Sequence, residues 1–463
     1  MSEQTGSIVG GRPPDLMTII FVSGLTTFVW LVCLSLIGPA GYLAPLAVLA
    51  AGAALWILAS AMKGRQWALA AMLGFALVVP NICFQRQELH EAVTINAQNG
   101  LKLLLWAAMG LVGLARLPRY RNLLNDRAIQ CISLYGLVGA ASTLWSPTAV
   151  YTAVGALGFL GAIMFCCAAA AELSEEAVYR TVVISFGLYA ALNLAFGIVM
   201  PDVAWLSTLT EADAPRLQGV SSHPNILGKE MASFICLTLP LALAYGKKRT
   251  ALVLVATAFA IIIATRSRTS LGAMLITLAL PLLARPQVAK ALALGVVATT
   301  AAAMLAVAVG YVPDVMSLLD GASRNSDASE ILTLTGRTEL WGFVWDKILQ
   351  APILGHGFGA ADTVLSREWW GQPDASVGAH NTWLQSLLTV GLVGTIPFVC
   401  FHAELIRRWF ANPNSLTRLM TPYLLILGMT EVEIAAHPVM LTVATLLIVA
   451  IDVRRHERAI DAP

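Results

Sequence analysis

The stretch SVGAHNTWLQSLLTVGLVGTI, residues 376–396, decides the fold. It joins a long segment of mixed polarity, residues 311–378, to an apolar run that begins at Trp383. The apolar run predicts a membrane span. His380 and Asn381 stand at the junction. The sequence therefore predicts a histidine at a membrane boundary, beneath a large loop.

The composition predicts an integral membrane protein. Of 463 residues, 57% are hydrophobic and 12% are charged, whereas soluble domains carry about 25% charged residues. The long apolar runs predict helices rather than a barrel. A net charge of +2 gives no reason to expect a nucleic-acid partner. The seven cysteines lie in or beside apolar runs without metal-ligand spacing, so we expect buried thiols and no metal.

About fourteen spans of roughly 20 residues fit the hydropathy of the chain. They cover residues 16–37, 41–62, 66–84, 99–115, 128–145, 150–171, 177–199, 226–245, 250–265, 270–284, 288–310, 379–403, 417–432 and 437–452. Threaded with both termini in the cytoplasm, these spans put the basic clusters of the short loops on the inner side, as the positive-inside rule requires. The first run is too long for a cleaved signal and is expected to be retained.

The threading divides the chain into three parts. Residues 1–215 form an N-terminal set of spans, residues 216–403 a core that contains the outer loop 311–378, and residues 404–463 the last spans with a cytoplasmic tail. Within the loop, ELWGFVWDKILQ (residues 339–350) places apolar side chains near one helical face. This pattern predicts an amphipathic helix at the outer interface. The halves of the chain show no inverted repeat of the transporter kind.

Three arginines on the predicted outer side run against the charge bias. Arg266 and Arg268 lie in the turn ATRSRTSLG, and Arg337 lies at the start of the amphipathic helix. Guanidinium groups suit bidentate binding of phosphate, and helix N-termini attract anions. Each arginine also has a structural explanation. Arg266 and Arg268 could extend their side chains to the outer lipid headgroups, and Arg337 could form a structural ion pair, for instance with Glu339 or Asp346.

A second polar stretch, RLQGVSSHPNILG, leads into the eighth span. Arg216 is a candidate for binding phosphate or sugar, whereas His223 and Asn225 fit either substrate binding or capping of the helix. The Lys229–Glu230 pair that follows is expected to bond internally or with a neighbour.

His380 is the side chain best suited to remove a proton near neutral pH, since imidazole has a pKa of about 6.5. Taken alone, it fits an interfacial histidine equally well. Glu431 and Glu433 could balance the arginines or be solvated. Trp341 could stack on a sugar or anchor the helix at the interface. Together these residues predict an outward-facing, metal-free pocket for a lipid-linked phosphate or diphosphate.

Three stretches in combination resemble the O-antigen ligase/polymerase (Wzy_C) superfamily. They are TRSRTSLGAML, TGRTELWGFVWDKILQAPILGHGFG and GAHNTWLQSLLTVGLVG. The stretch RLQGVSSHPNILG is also similar to one found in exopolysaccharide polymerases of this group. The resemblance covers residues 216–400.

The resemblance implies a GT-C-like glycosyltransferase of the bacterial inner membrane with its site facing the periplasm. It implies an undecaprenyl-diphosphate-linked oligosaccharide donor, a saccharide acceptor and no cofactor. By motif, Arg268 and Arg337 would hold the diphosphate, His380 would activate the acceptor hydroxyl, and Asn381 beside it would contact substrate. A flippase and a chain-length regulator are candidate partners.

Four functions compete at this point. A polymerase of lipid-linked repeat units is favoured. A ligase that transfers polysaccharide to lipid A core uses the same chemistry and differs in its acceptor. A flippase of lipid-linked oligosaccharide would require charged residues deep within the spans. A non-catalytic assembly subunit would not need the set of arginines and the histidine.

Overall fold

Helices make up nearly all of the described chain. The computed structural model describes residues 44–83, 97–206, 215–283, 337–366, 378–412 and 415–461. Its α-helices are α1 Ala44–Met62, α2 Gln66–Val78, α3 Ala97–Tyr120, α4 Arg127–Ala141, α5 Ala149–Glu172, α6 Glu175–Val199, α7 Pro201–Ala204, α8 Pro224–Ala244, α9 Lys248–Thr265, α10 Arg268–Leu283, α11 Arg337–Gln350, α12 Ala361–Ser366, α13 Thr382–Ala411, α14 Met420–Leu427 and α15 Met440–Asp461. Two short strands, β1 Trp205–Leu206 and β2 Arg216–Leu217, pair antiparallel. The predicted all-α class is confirmed.

Contacts divide the chain into two units, residues 1–60 and residues 61–463. In the first unit, the described part of α1 is apolar, with Leu55 and Trp56 exposed. The other helices belong to the second unit.

Six described helices are long and apolar enough to cross a membrane. They are Gln98–Asn125, Ala149–Glu172, Glu175–Val199, Pro224–Ala244, Lys248–Thr265 and Thr382–Ala411. The chain is thus a polytopic helical membrane protein. Two predicted spans are shorter than expected: α4 has 15 residues and α14 has 8, and 8 residues rise only about 12 Å. Predicted spans 16–37 and 288–310, and most of loop 311–378, lie outside the described residues.

Helix α13 is a hairpin of two helical pieces. Gly391 has φ +60° and ψ −165°, which interrupts the helix. Across this break the Ser386 and Thr395 hydroxyls hydrogen-bond at 2.8 Å, and the Trp383 and His402 rings lie 4.8 Å apart. In a straight helix, 19 residues would separate those rings by about 28 Å. The chain therefore reverses at Gly391.

This reversal corrects the prediction of a single span over residues 379–403. The piece 382–390 has nine residues and cannot span, while the piece 392–411 runs back along α4. In that second piece Phe398 packs 4.8 Å from Tyr135, and Arg408 forms an ion pair with Asp126 at the start of α4. Hydropathy could not reveal the turn, because residues 383–403 form one continuous apolar run on both sides of Gly391.

The loop between α11 and α12 inserts into the break in α13. Backbone amides of His356 and Gly357 donate to the carbonyls of Leu388 and Thr389 at 2.9 and 2.8 Å, satisfying groups that an unbroken helix would pair internally. A side chain at Gly391 would collide with the carbonyl of Ile353. The glycines of ILGHGFG thus allow close backbone contact between the loop and the break.

Phe358 fastens the same loop to the bundle. Its ring packs 5.8 Å from the rings of Tyr135 and Phe159, and its amide donates to Ser142 Oγ at 2.9 Å.

Charged residues collect at one end of the bundle. Arg116 at the end of α3 pairs with Glu172 at the end of α5, and Arg455 near the end of α15 pairs with Glu175. These contacts agree with the predicted grouping of the short loops on one side. Which side of the membrane this is stays a prediction.

The backbone contact at Gly391 predicts the effect of a methyl group there. Gly391→Ala has to adopt a left-handed conformation and displace Ile353, so we expect destabilisation of at least about 2 kcal/mol. The apparent melting temperature in detergent measures it. Gly187→Ala, in α6 with open space around it, is the matched control and should keep or slightly raise the melting temperature, because alanine favours a helix over glycine.

Candidate functional site

Three basic side chains converge on the carboxylate of Glu431. Arg337 Nη2 lies 2.6 Å from Oε1, and His380 Nδ1 lies 3.6 Å from Oε2. Lys229 Nζ lies 4.0 Å from Oε2. The Glu431 side chain is 7% exposed, so these charges interact with little screening by water.

These side chains come from four separate elements. Lys229 lies five residues into α8, about 8 Å along its axis, and Arg337 is the first residue of α11. His380 precedes α13, and Glu431 follows α14. The site therefore exists only in the folded protein, and its members lie up to 202 residues apart in the sequence.

Glu433 adds a second carboxylate to the group. Its Oε1 lies 3.3 Å from Lys229 Nζ, and its side chain is 2% exposed. The loop that carries both glutamates is fixed by Thr382, whose hydroxyl accepts from the Glu433 amide at 2.7 Å and donates to the Glu431 carbonyl at 2.9 Å. The acidic loop is thereby bonded to the first turn of α13.

Asn381 has a structural part beside His380. Its Oδ1 accepts from the amides of Trp383 and Leu384 at 3.0 and 3.1 Å, which caps α13. Its Nδ2 donates to the carbonyl of Met429 at 3.1 Å. These bonds tie Asn381, and with it the neighbouring His380, to the loop that carries Glu431 and Glu433.

Trp341 also positions the histidine segment. Its indole N–H donates to the carbonyl of Ala379 at 3.0 Å. The buried face of the predicted amphipathic helix is confirmed, since Leu340, Val344 and Ile348 join one apolar cluster, whereas Leu349 is exposed.

Backbone strain occurs at the candidate site. The described non-glycine residues with positive φ are Arg266 at +52°, His380 at +44° and Ile434 at +40°. For a β-branched residue such as Ile434 this conformation is a genuine outlier. Such strain persists only where surrounding contacts enforce it, and it is common at functional sites.

Arg216, His223 and Asn225 form a second group at the start of α8. Arg216 is 6% exposed; its Nη2 donates to Asn225 Oδ1 at 2.6 Å, and its Nε donates to the Thr265 carbonyl at 3.0 Å. His223 Nδ1 accepts from the Asn225 amide at 3.1 Å and caps α8. These contacts are the capping arrangement that the sequence allowed.

Arg266 and Arg268 are exposed residues of the neighbouring α9–α10 turn. The turn packs on α8 at Gly228, where an added Cβ would lie 2.9 Å from the Cβ of Ser267. Gly228 directly precedes Lys229 in α8. The structure thus joins His380 to Arg337 through Glu431. The contacts described for Arg216 belong to the second group, at the start of α8.

For Lys229, Glu431 and Glu433, the structure selects one of the alternatives that the sequence left open: Glu431 balances Arg337, and Lys229 bonds with neighbouring groups. Lys229 pairs with the two loop glutamates and not with Glu230, because consecutive residues of a helix point about 100° apart. Arg337 does form an ion pair, but with Glu431 rather than Glu339 or Asp346. Lys229 stands about one helical turn inside a predicted span, where a basic residue is costly unless it is paired, and this position was the signal in the sequence.

The two glutamates have opposite protonation. Burial alone would raise the pKa of Glu431, but contact with His380 and the charges of Lys229 and Arg337 outweigh it and hold that pKa well below its usual range. Burial raises the pKa of Glu433 to about 7, with Lys229 opposing the rise and Glu431 adding to it. Glu431 is thus a permanent anion, and Glu433 titrates near neutrality.

Fold and site define a multi-pass membrane protein with a buried cluster of paired charges. Residues 252–399 match the Wzy_C family, described as O-Antigen ligase. The chain therefore carries a Wzy_C domain, and members of that family are glycosyltransferases of ligase or polymerase type in polysaccharide biosynthesis. Lipid-linked glycans are the substrates that the family implies. No curated protein matches the chain.

Loss of the central carboxylate should destabilise the protein strongly. Glu431→Gln leaves the buried Arg337 guanidinium without its counter-ion, which costs about 3–5 kcal/mol, whereas Lys229 keeps Glu433. Chemical unfolding in detergent measures the loss. Glu176→Gln breaks an ion pair whose side chains are 57% and 71% exposed, and should cost under about 1 kcal/mol; equal losses would contradict the central position of Glu431.

The raised pKa of Glu433 predicts a pH dependence. Since the pKa in the folded state lies above the value of 4.5 for a free side chain, this group stabilises the fold below pH 4.5, and the contribution is lost as the pH rises through about 7. Glu433→Gln, which resembles the protonated form, should flatten the change in melting temperature between pH 5 and 8. An unchanged slope would show that other groups cause it.

Proposed function

We propose that this protein is a membrane glycosyltransferase that polymerises oligosaccharide repeat units carried on undecaprenyl diphosphate. The observation that carries the proposal is the convergence of Arg337 and His380 on Glu431. It brings a phosphate-binding cation and a proton acceptor to one place, as metal-free transfer from a diphosphate donor requires.

The diphosphate would lie between Arg337 and the α9–α10 turn. Arg337 and Arg268 are the first residues of α11 and α10, and helix N-termini favour anions. Arg337 uses two of its five N–H donors on Glu431 and the Thr430 carbonyl, which leaves donors for phosphate oxygens. Arg216 and Arg266 contribute further positive charge beside the turn.

His380 would act as the general base. The anionic Glu431 beside Nδ1 favours the tautomer with a proton on Nδ1, which leaves Nε2 free to accept one. The acceptor hydroxyl gives its proton to Nε2 as its oxygen attacks the anomeric carbon. The bond from that carbon to the diphosphate oxygen breaks, and undecaprenyl diphosphate leaves. Glu431 stabilises the imidazolium that forms, and the arginines stabilise the charge on the departing oxygen.

This assignment extends the proposed core. Residues 216–403 supply His380 and the arginines, but Glu431 comes from the C-terminal part, residues 404–463. We place the site at the periplasmic side of the bacterial inner membrane, because the basic loops collect at the opposite end of the bundle. His223, Asn225, Asn381 and Trp341 then support the site by positioning its backbone.

A ligase that passes the glycan to lipid A core is the second candidate, favoured by the family's description. The chemistry at His380 would be the same, and only the acceptor would differ. Incubation of the purified protein with lipid A core or with a second lipid-linked repeat unit separates the two. Scrambling of substrate across vesicles without a new glycosidic bond would favour a flippase instead.

The base role predicts the effect of removing the imidazole. His380→Ala should fold normally and slow chain elongation by about 10²–10⁴-fold, measured by product size after mixing with a defined undecaprenyl diphosphate oligosaccharide, with and without EDTA. His456→Ala, an exposed histidine of α15, is the control and should elongate normally. Continued elongation by His380→Ala would exclude the base role.

A further inference from the structure

A second polar cluster begins at the residue after Lys229. Glu230 is 4% exposed. Its Oε2 accepts from the Tyr189 hydroxyl and from Ser221 Oγ, the latter at 3.3 Å. Its Oε1 is buried and has no hydrogen-bond partner within the described part of the chain. A buried carboxylate oxygen without a donor requires an explanation.

Aromatic side chains line the neighbouring part of this cluster. Trp106 of α3 and Tyr151 of α5 lie on either side of His437, with ring centres 5.7 and 6.4 Å from its ring. Trp106 Nε1 is a second buried polar atom that finds no partner among the described residues. Tyr151 is 42% exposed, so the cluster is open on its side.

Two lysines complete the electrostatics. Lys102 lies one helical turn before Trp106, on the same face of α3. Burial, followed by the charges of Lys102 and Lys229, lowers the pKa of His437 to about 4. His437 is thus a neutral ring at physiological pH, while the lysines supply the positive charge.

The loop that carries Glu431 also carries His437, six residues later. Lys229 of the first cluster and Glu230 of the second are consecutive in α8. The two clusters therefore share both a helix and a loop. Contacts also bring the start of α3 beside Glu230: Gln98 donates to Cys83 Sγ, and the Cys83 amide donates to the carbonyl of Val220, next to Ser221.

We infer that the cluster of Lys102, Trp106, Tyr151, Glu230 and His437 binds the saccharide part of the acceptor. A sugar offers hydroxyl groups that donate to a carboxylate and accept from an indole N–H or an ammonium group. Its C–H face packs on aromatic rings, as an exposed tyrosine beside a neutral imidazole allows. The unpaired oxygen of Glu230 and the unpaired N–H of Trp106 are the groups that such a ligand would satisfy.

This inference rests on the proposed function, because it names the acceptor site of the same reaction. Its first test is therefore binding without turnover. The probe is the free oligosaccharide released by mild acid from the lipid-linked donor, observed by saturation-transfer NMR with purified His380→Ala protein. We expect transfer to the sugar protons that Tyr151→Ala and Trp106→Phe reduce by severalfold, and that Trp67→Phe, on a distant face of α2, leaves unchanged.

The second test measures steady-state kinetics in protein that keeps His380. Trp106→Phe and Glu230→Gln should raise the KM for acceptor about tenfold and leave the KM for the lipid-linked donor unchanged. Two results would overturn the inference: an equal rise in KM for donor and acceptor, or oligosaccharide binding that is unchanged by Tyr151→Ala and Trp106→Phe. The cluster would then serve only in packing. Binding by the free oligosaccharide with no transfer by any protein would instead count against the proposed function alone.

Discussion

The architecture depends on one buried anion. Glu431 holds Arg337, His380 and Lys229 around a single carboxylate, and the buried Arg337 guanidinium would lose its counter-ion without it. Because the three partners come from helices far apart in the sequence, the same contact also fixes how those helices meet. Arg337 and His380 are thus positioned by the interaction that holds the fold together at this point.

The second carboxylate gives the cluster its charge balance. Lys229 and Arg337 face Glu431 and Glu433, and since Glu433 titrates near neutral pH, the net charge of the group changes from neutral to positive as Glu433 takes up a proton. A diphosphate adds negative charge to this balance. Arg266 and Arg268 are exposed on the α9–α10 turn, which packs on α8 at Gly228.

Much of this arrangement could be predicted from the sequence, and the reasons for the failures are physical. Long apolar runs identified a helical membrane protein, and the period of Leu340, Val344 and Ile348 identified the helix that carries Arg337. Hydropathy could not detect the reversal at Gly391, since it records composition and not direction. The partners of Lys229 and Arg337 stayed open among alternatives because ion pairs between distant elements leave no local pattern. The capping parts of His223 and Asn381 follow from local spacing.

The glycine-rich loop at residues 351–359 has a consequence for how such chains can diverge. Its backbone fills the gap in α13 residue by residue, with His356 and Gly357 serving as partners for Leu388 and Thr389. An insertion or deletion of even one residue there would shift every pairing and misalign the helix that begins beside His380. Length variation among related chains should therefore be excluded from this loop, and the distance in sequence between Gln350 and Gly359 should stay constant where the surrounding residues have changed.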